Sequence, residues 1–289
     1  MKKIAIATDS NSGITQAEGK ENGIFVLPMP FTIGEEEYFE DINLSQDEFY
    51  EKLKNNEDVK TSQPALGALE DFWDNILKDY DEIVYIPMSS GLSKSCESAI
   101  NFAREEKFAG KVFVVDNQRI SVTLKNAVYD AKKLAEQGKD AEEIKQILTD
   151  TKFDSSIYIM VDTLKYLKKG GRVTPAGAAL GALLHIKPVL QIQGGKLDAY
   201  KKVMGTKVAC QTMIEAVKTD LNNRFKDIKQ EMRLCIAHTH NDANAQKFME
   251  EVKKAIPDVE VTYCDPLSLS VSCHIGPGAL AVALYRELV

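Results

Sequence analysis

Hydroxyl side chains crowd three short stretches of this chain, and the chemistry they suit best is holding an anion. The first stretch is Ser89-Ser90-Gly91-Leu92-Ser93, between the apolar run at 83–86 and a segment whose Ala99, Ile100 and Ala103 recur at helical spacing. The second is Thr61-Ser62-Gln63-Pro64, ahead of a helical pattern at Ala68, Leu69, Phe72, Trp73 and Leu77. Pro64 suits an early helix position, so Thr61 or Ser62 is expected at or just before the N-cap. The third is Asp9-Ser10-Asn11-Ser12-Gly13, which follows the strand-like residues 3–8. Asp9 and Ser10 either cap a short helix or take part in a site at the C-terminal strand end, where α/β sheets place ligands. A turn that opens a helix presents orphan N–H groups and the positive end of the helix dipole.

Several enzymatic readings lack their signatures. A nucleophile elbow needs G-x-S-x-G, and the turn here reads S-S-G-L-S. His274 and His238 could serve as bases, but nothing local supports either. No phosphate loop of the form G-x-x-x-x-G-K-[ST] and no G-x-G-x-x-G after a strand is present. His238 and His240 could put two imidazoles at one strand end, yet no third ligand follows at a useful spacing, so no metal is expected. What is left is a neutral set of hydroxyls and N–H groups beside apolar sequence. Such a set can hold a carboxylate without attacking it, at roughly 1.5–3 kcal/mol per hydrogen bond to a charged group.

The elements that must position these groups follow from pattern. The chain has 289 residues, 44% hydrophobic and 27% charged, enough for two ordinary domains with a buried core. Net charge is −7, which argues against a general nucleic-acid binder. The first nine residues are too short for a signal-peptide core, and the weakly polar run at 173–184 is too short to span a bilayer, so a cytoplasmic location is expected. Five scattered cysteines with no C-x-x-C indicate neither a disulfide framework nor a zinc site. Strands at 83–86 and 111–116 alternate with helices at 121–137 and 140–148, which predicts βαβ units and a mainly parallel sheet. Ser45 and Glu48 form a capping box for a helix to about Lys54, and Asp140 caps the helix after it. Residues 23–33, with Pro28 and Pro30, read as one bent strand, and 35–41 as an exposed hairpin.

A boundary near 151–156 divides the chain into domains 1–153 and 154–289. The second begins with a strand at 156–161 and a helix capped by Asp162 and ended by Gly170-Gly171. Lys165, Lys168, Lys169 and Arg172 form a basic cluster, either a solvated helix end or a docking patch. Residues 174–184 have no polar face and predict a buried helix. Strand 188–193, a hairpin at Gly194-Gly195, helix 207–222, strand 233–238, helix 243–255 and strand 260–263 follow. A last helix is expected from about Ala279.

Taken together, TDS (8–10), TSQP (61–64), SSGLS (89–93), LKKGGR (167–172), GALLHIKPVL (181–190) and HIGPG (274–278) resemble the DegV family, in its order and over nearly the whole chain. The resemblance implies two α/β domains, the first with a mainly parallel three-layer sheet and the second with a mixed sheet, and a fatty-acid tunnel between them. It implies a non-catalytic subunit that presents a long-chain fatty acid to a separate ATP-dependent kinase, giving an acyl phosphate for phospholipid synthesis. By matching motif, Thr61, Ser62, Ser93 and Lys94 with His274 would hold the carboxylate, and Arg172 would face the kinase or orient the head group. Neither a cofactor nor a metal is implied, and a transient membrane-surface contact fits. The family usually continues LS-GT, where this chain has Leu92-Ser93-Lys94-Ser95, and the stretch after Asp116 lacks the usual glycine. The alternative from another class is a small-molecule phosphotransferase or hydrolase using His274 or Ser93 as nucleophile. A third is a scaffold docking through the 165–172 cluster.

Overall fold

Short apolar runs that end in polar residues become the strands of a parallel sheet. A computed structural model of the chain describes residues 2–55, 58–179 and 186–289. The chain divides into two units, Met1–Phe153 with Val289, and Asp154–Leu288.

In the first unit, strands Ile24–Leu27, Ile4–Asp9, Glu82–Ile86 and Val112–Val114 lie in that order, every pair parallel. Helix Leu66–Leu77 buries Leu69, Trp73 and Ile76 against Tyr85, Phe102 and Phe108, with the Trp73 ring stacked on Phe102 at 5.5 Å. Helices Ser121–Glu136 and Ala141–Asp150 pack on the same strands. Burying both faces explains why Glu82–Ile86 is apolar without alternation. Ser45 and Asp140 each form the expected capping box, with Glu48 and with Glu143.

Two local expectations in this unit fail. Residues 23–33 are two strands in two sheets, not one bent strand. Ile24–Leu27 belongs to the parallel sheet, whereas Pro30–Ile33 joins Glu36–Phe39 and Val59–Thr61 in a small antiparallel sheet. The two prolines cannot donate to a ladder, so the chain changes sheets there. Thr61 is not a helix cap. It ends strand Val59–Thr61, opposite Phe31, and helix Leu66–Leu77 starts after Ala65 with no side-chain cap.

The second unit holds a six-stranded mixed sheet, ordered Asp198–Met204, Ile186–Ile192, Ser155–Met160, Leu280–Arg286, Met232–His238 and Val261–Pro266. Only Met232–His238 with Val261–Pro266 is parallel among its pairs. Helices Thr206–Asn222 and Asp242–Ala255 cover one face through Met213, Val217, Phe248 and Val252. The expected C-terminal helix is instead strand Leu280–Arg286, buried in mid-sheet, and the helix there is the earlier Leu269–Ile275. An unbroken apolar run suits a strand covered on both faces as well as a buried helix, and pairing with a strand on each side decides for the strand. Asp162 does not cap helix Lys165–Gly170. Thr163 Oγ1 accepts the Lys165 N–H there, and Asp162 pairs with Lys187 at 2.6 Å. Of the segment expected as a buried helix, Pro175–Ala178 is helical, and 180–185 lie outside the described residues. No helix among the described residues is long and apolar enough to cross a membrane.

Candidate functional site

In the first unit two of the hydroxyl-rich stretches follow the C-terminal ends of the neighbouring parallel strands Ile4–Asp9 and Glu82–Ile86, and the third begins at the end of strand Val59–Thr61 in the small antiparallel sheet. Hydrogen bonds tie them together. Thr8 Oγ1 donates to the Ile86 carbonyl at 2.8 Å, and the Met29 N–H donates to Ser10 Oγ at 3.1 Å. Ser62 N–H reaches the Pro30 carbonyl at 3.4 Å, and Ser98 Oγ donates to Gln63 Oε1 at 3.0 Å. That last bond fixes the Thr61–Ser62 loop against helix Ser95–Phe102, whose N-cap is Lys94. Thr61 and Ser93 are half-buried, and Ser62 and Lys94 are exposed.

The serine turn differs from the open anion site that the sequence suggests. Nearly all its N–H groups are already used. Met88 N–H donates to Asp9 Oδ2 at 2.9 Å, Ser89 N–H to the Arg119 carbonyl at 3.0 Å, and Ser90 N–H to Asp116 Oδ1 at 3.2 Å. Gly91 N–H donates to Ser89 Oγ, and the Leu92 and Ser93 N–H groups both donate to the Ser89 carbonyl. The N–H groups of Ser89 to Ser93 are therefore committed within the fold. Ser93 Oγ accepts the Ser95 N–H at 3.1 Å and donates to Ser95 Oγ at 3.0 Å. Among the described residues no imidazole or carboxylate takes the Ser93 proton.

Two carboxylates organise this end of the sheet, and the sequence singled out only one of them. Asp9 is fully buried, N-caps the short 3-10 turn Ser10–Ser12, and accepts the Asn11 N–H at 3.0 Å besides that of Met88. Burial pushes its carboxyl up to about 6, against the opposing pull of those hydrogen bonds. Asp116 also accepts the Ser90 hydroxyl at 2.6 Å. It was legible only as an acid ending a strand. Ser121, which opens helix Ser121–Glu136, has φ of 54°, a left-handed value uncommon for serine.

The raised Asp9 carboxyl carries a pH dependence. Between its unfolded value near 4 and about 6, the native state holds a proton that the unfolded state has lost, so stability from this group falls as pH rises. Against Asp9→Asn, which does not titrate there, the wild-type unfolding free energy is expected to drop by on the order of 3 kcal/mol from pH 4 to pH 7. Urea titrations of both proteins across that range measure the difference.

In the second unit, His274 lies near the end of helix Leu269–Ile275 and packs on helix Lys165–Gly170. A Cβ built at Gly170 would lie 2.1 Å from His274 Nδ1, so the glycine makes room for the ring. Burial, reinforced by the neighbouring Arg172 guanidinium, pushes His274 down to about 4. The imidazole is neutral at pH 7 and can offer a hydrogen bond but no charge. Arg172 donates to the Gly170 carbonyl, one residue past the left-handed cap Gly171. Lys165, Lys168 and Lys169 are exposed. His238 is 4% exposed, its Nδ1 accepts the Asn241 N–H, and burial lowers its pKa, so it serves the fold. No group of three or more His, Cys, Asp or Glu among the described residues is arranged to hold a metal.

A parallel α/β unit followed by a mixed α/β unit is an arrangement found in solved structures that match this chain end to end. A DegV family protein from Thermus thermophilus, solved as fatty acid binding, superposes with a TM-score of 0.88 at 27% identity, covering 98% of this chain and 99% of the other. DegV from Bacillus subtilis, described as a fatty acid binding protein, gives a TM-score of 0.85 at 28% identity, covering 99% and 100%. In sequence, Protein DegV of Bacillus subtilis is 30% identical over 283 residues, 96% of this chain and 98% of its own. A DegV domain-containing protein of Halalkalibacterium halodurans is 29% identical over 291 residues. The DegV family model matches residues 3–287, and the chain belongs to that family.

Proposed function

We propose that this chain binds a long-chain fatty acid and does no chemistry on it. The observation that carries the reading is the end-to-end likeness to two DegV proteins solved as fatty acid binding, at 27% and 28% identity. The absence of a base at Ser93 among the described residues fits a hydroxyl that holds and does not attack. In this reading Thr61, Ser62, Ser93 and Lys94 are carboxylate ligands, and His274 is a neutral hydrogen-bonding group for the head group. The acyl chain supplies most of the affinity. At about 0.8 kcal/mol per buried CH₂, a chain of roughly sixteen carbons gains on the order of 10 kcal/mol before ordering costs.

The finer reading is a subunit that presents the carboxylate to an ATP-dependent kinase, with Arg172 at the docking surface or at the head group. The product would be an acyl phosphate, feeding phospholipid synthesis in the cytoplasm. Organic extraction of purified protein and mass spectrometry test the first part, with one fatty acid per chain expected. Protein made with lipid available, yet empty and unable to take up any acyl chain, would overturn it. Mixing loaded protein with ATP and a candidate kinase tests the second part. Acyl phosphate should form only with both proteins present, and Arg172→Ala should reduce it with fatty-acid binding intact.

A further inference from the structure

We infer that Asp9 and Asp116 are positioning residues for head-group binding: together they fix the path of residues 88–90, and through it the Ser93 hydroxyl. The inference rests on Ser93 holding the acyl carboxylate, as proposed above. Strand Glu82–Ile86 lies between Ile4–Asp9 and Val112–Val114 in the sheet. Asp9 ends one flanking strand and Asp116 follows the other, so the chain leaving Ile86 runs between two carboxylates. Met88 N–H goes to Asp9, Ser89 N–H to the Arg119 carbonyl and Ser90 N–H to Asp116. Three consecutive N–H groups are thereby pinned from outside the turn. The pinned Ser89 then accepts the Leu92 and Ser93 N–H groups on its carbonyl. Moving residues 88–90 moves Ser93 with them.

The two carboxylates do this in chemically different ways. Each Asp9 oxygen accepts a backbone N–H, one from Asn11 at 3.0 Å and the other from Met88 at 2.9 Å, and the Asn11 side chain adds a further hydrogen bond. A backbone N–H can only donate. Asparagine at position 9 would keep one oxygen and turn an NH₂ toward the other N–H, leaving two donors facing each other. Asp116 Oδ1 receives the Ser90 and Gln118 N–H groups, and Asp116 Oδ2 receives the Ser90 hydroxyl. Both N–H groups share one oxygen and the hydroxyl on the other can reverse and accept, so asparagine at position 116 would keep all three bonds. Position 9 therefore requires a carboxylate, and position 116 requires only an oxygen beside a polar group.

The test measures affinity for palmitate and for hexadecanol in wild type, Asp9→Asn, Asp116→Asn and Asp116→Ala. The acid-to-alcohol affinity ratio isolates the head group, which a loss of general packing would not move. Expected is a ratio at least tenfold below wild type in Asp9→Asn and Asp116→Ala, and within twofold of wild type in Asp116→Asn. A wild-type ratio in Asp116→Ala, or an Asp116→Asn ratio that falls with it, overturns the inference. The half-buried position 116 carries this test if Asp9→Asn does not fold. A wild-type protein that binds neither probe overturns the fatty-acid reading itself, a result distinct from binding with unchanged ratios.

Discussion

Gly276→Ala is expected to destabilise the second unit by about 4 kcal/mol, measured by thermal or urea unfolding. Two independent costs add. Gly276 has φ of 76° and ψ of 175°, a region that only glycine enters without strain, and forcing alanine there costs about 1–3 kcal/mol. A Cβ built at this position would also lie 2.3 Å from the Tyr166 ring, and forcing extra carbon into packed space costs about 1–3 kcal/mol more. The ring cannot yield freely, because helix Lys165–Gly170 carries it and is itself packed against helix Leu269–Ile275. Displacing that helix moves Gly170 against His274, so the imidazole should lose its place together with the stability. Gly67→Ala is the control. Gly67 lies in helix Leu66–Leu77 with nothing within 4 Å of a built Cβ. That change should stabilise by about 0.5–1 kcal/mol. Equal effects of the two substitutions would refute the assignment of His274 to a packed, glycine-dependent seat.

The contrast between these glycines marks what could be read from the sequence. Signals that act within one turn were legible. Ser45 with Glu48, Asp140 and Gly171 mark helix ends by their own side chains or lack of one: the first two open helices and Gly171 closes one. The alternation of strand and helix gave the parallel sheet for the same reason. Pairing across distance was not legible. Thr61 looks like a cap until Phe31 is placed beside it, and residues 280–286 look helical until strands on both sides bury them. At the site, the hydroxyls of the serine turn were visible, but the destinations of its N–H groups were not. Met88, Ser89 and Ser90 donate to acceptors 79, 30 and 26 residues away in the chain, and no local pattern encodes that. Asp116 shows its bond to Ser90 only once the sheet places the two side by side.

Removing both hydroxyls, Thr61→Ala with Ser93→Ala, is expected to weaken binding of a long-chain fatty acid by about a hundredfold to a thousandfold. Each hydrogen bond to a carboxylate is worth roughly 1.5–3 kcal/mol, and about 1.4 kcal/mol is tenfold in affinity. The two contributions should differ. Ser93 can swing its proton from Ser95 Oγ to a ligand while still accepting the Ser95 N–H, so its net gain is reduced by the bond it gives up. Ser93→Ala also removes the acceptor for the first N–H of helix Ser95–Phe102, at a stability cost of about 0.5–1.5 kcal/mol. Thr61 ends its strand and opens no helix, so Thr61→Ala should cost affinity with a smaller loss of stability. Because both would serve one carboxylate, the double variant should lose less than the sum of the singles. Titration with palmitate and with hexadecanol separates head group from tail. The loss should appear with the acid and largely vanish with the alcohol, whose buried chain is the same. A double variant that binds palmitate as tightly as wild type would remove both residues from the carboxylate.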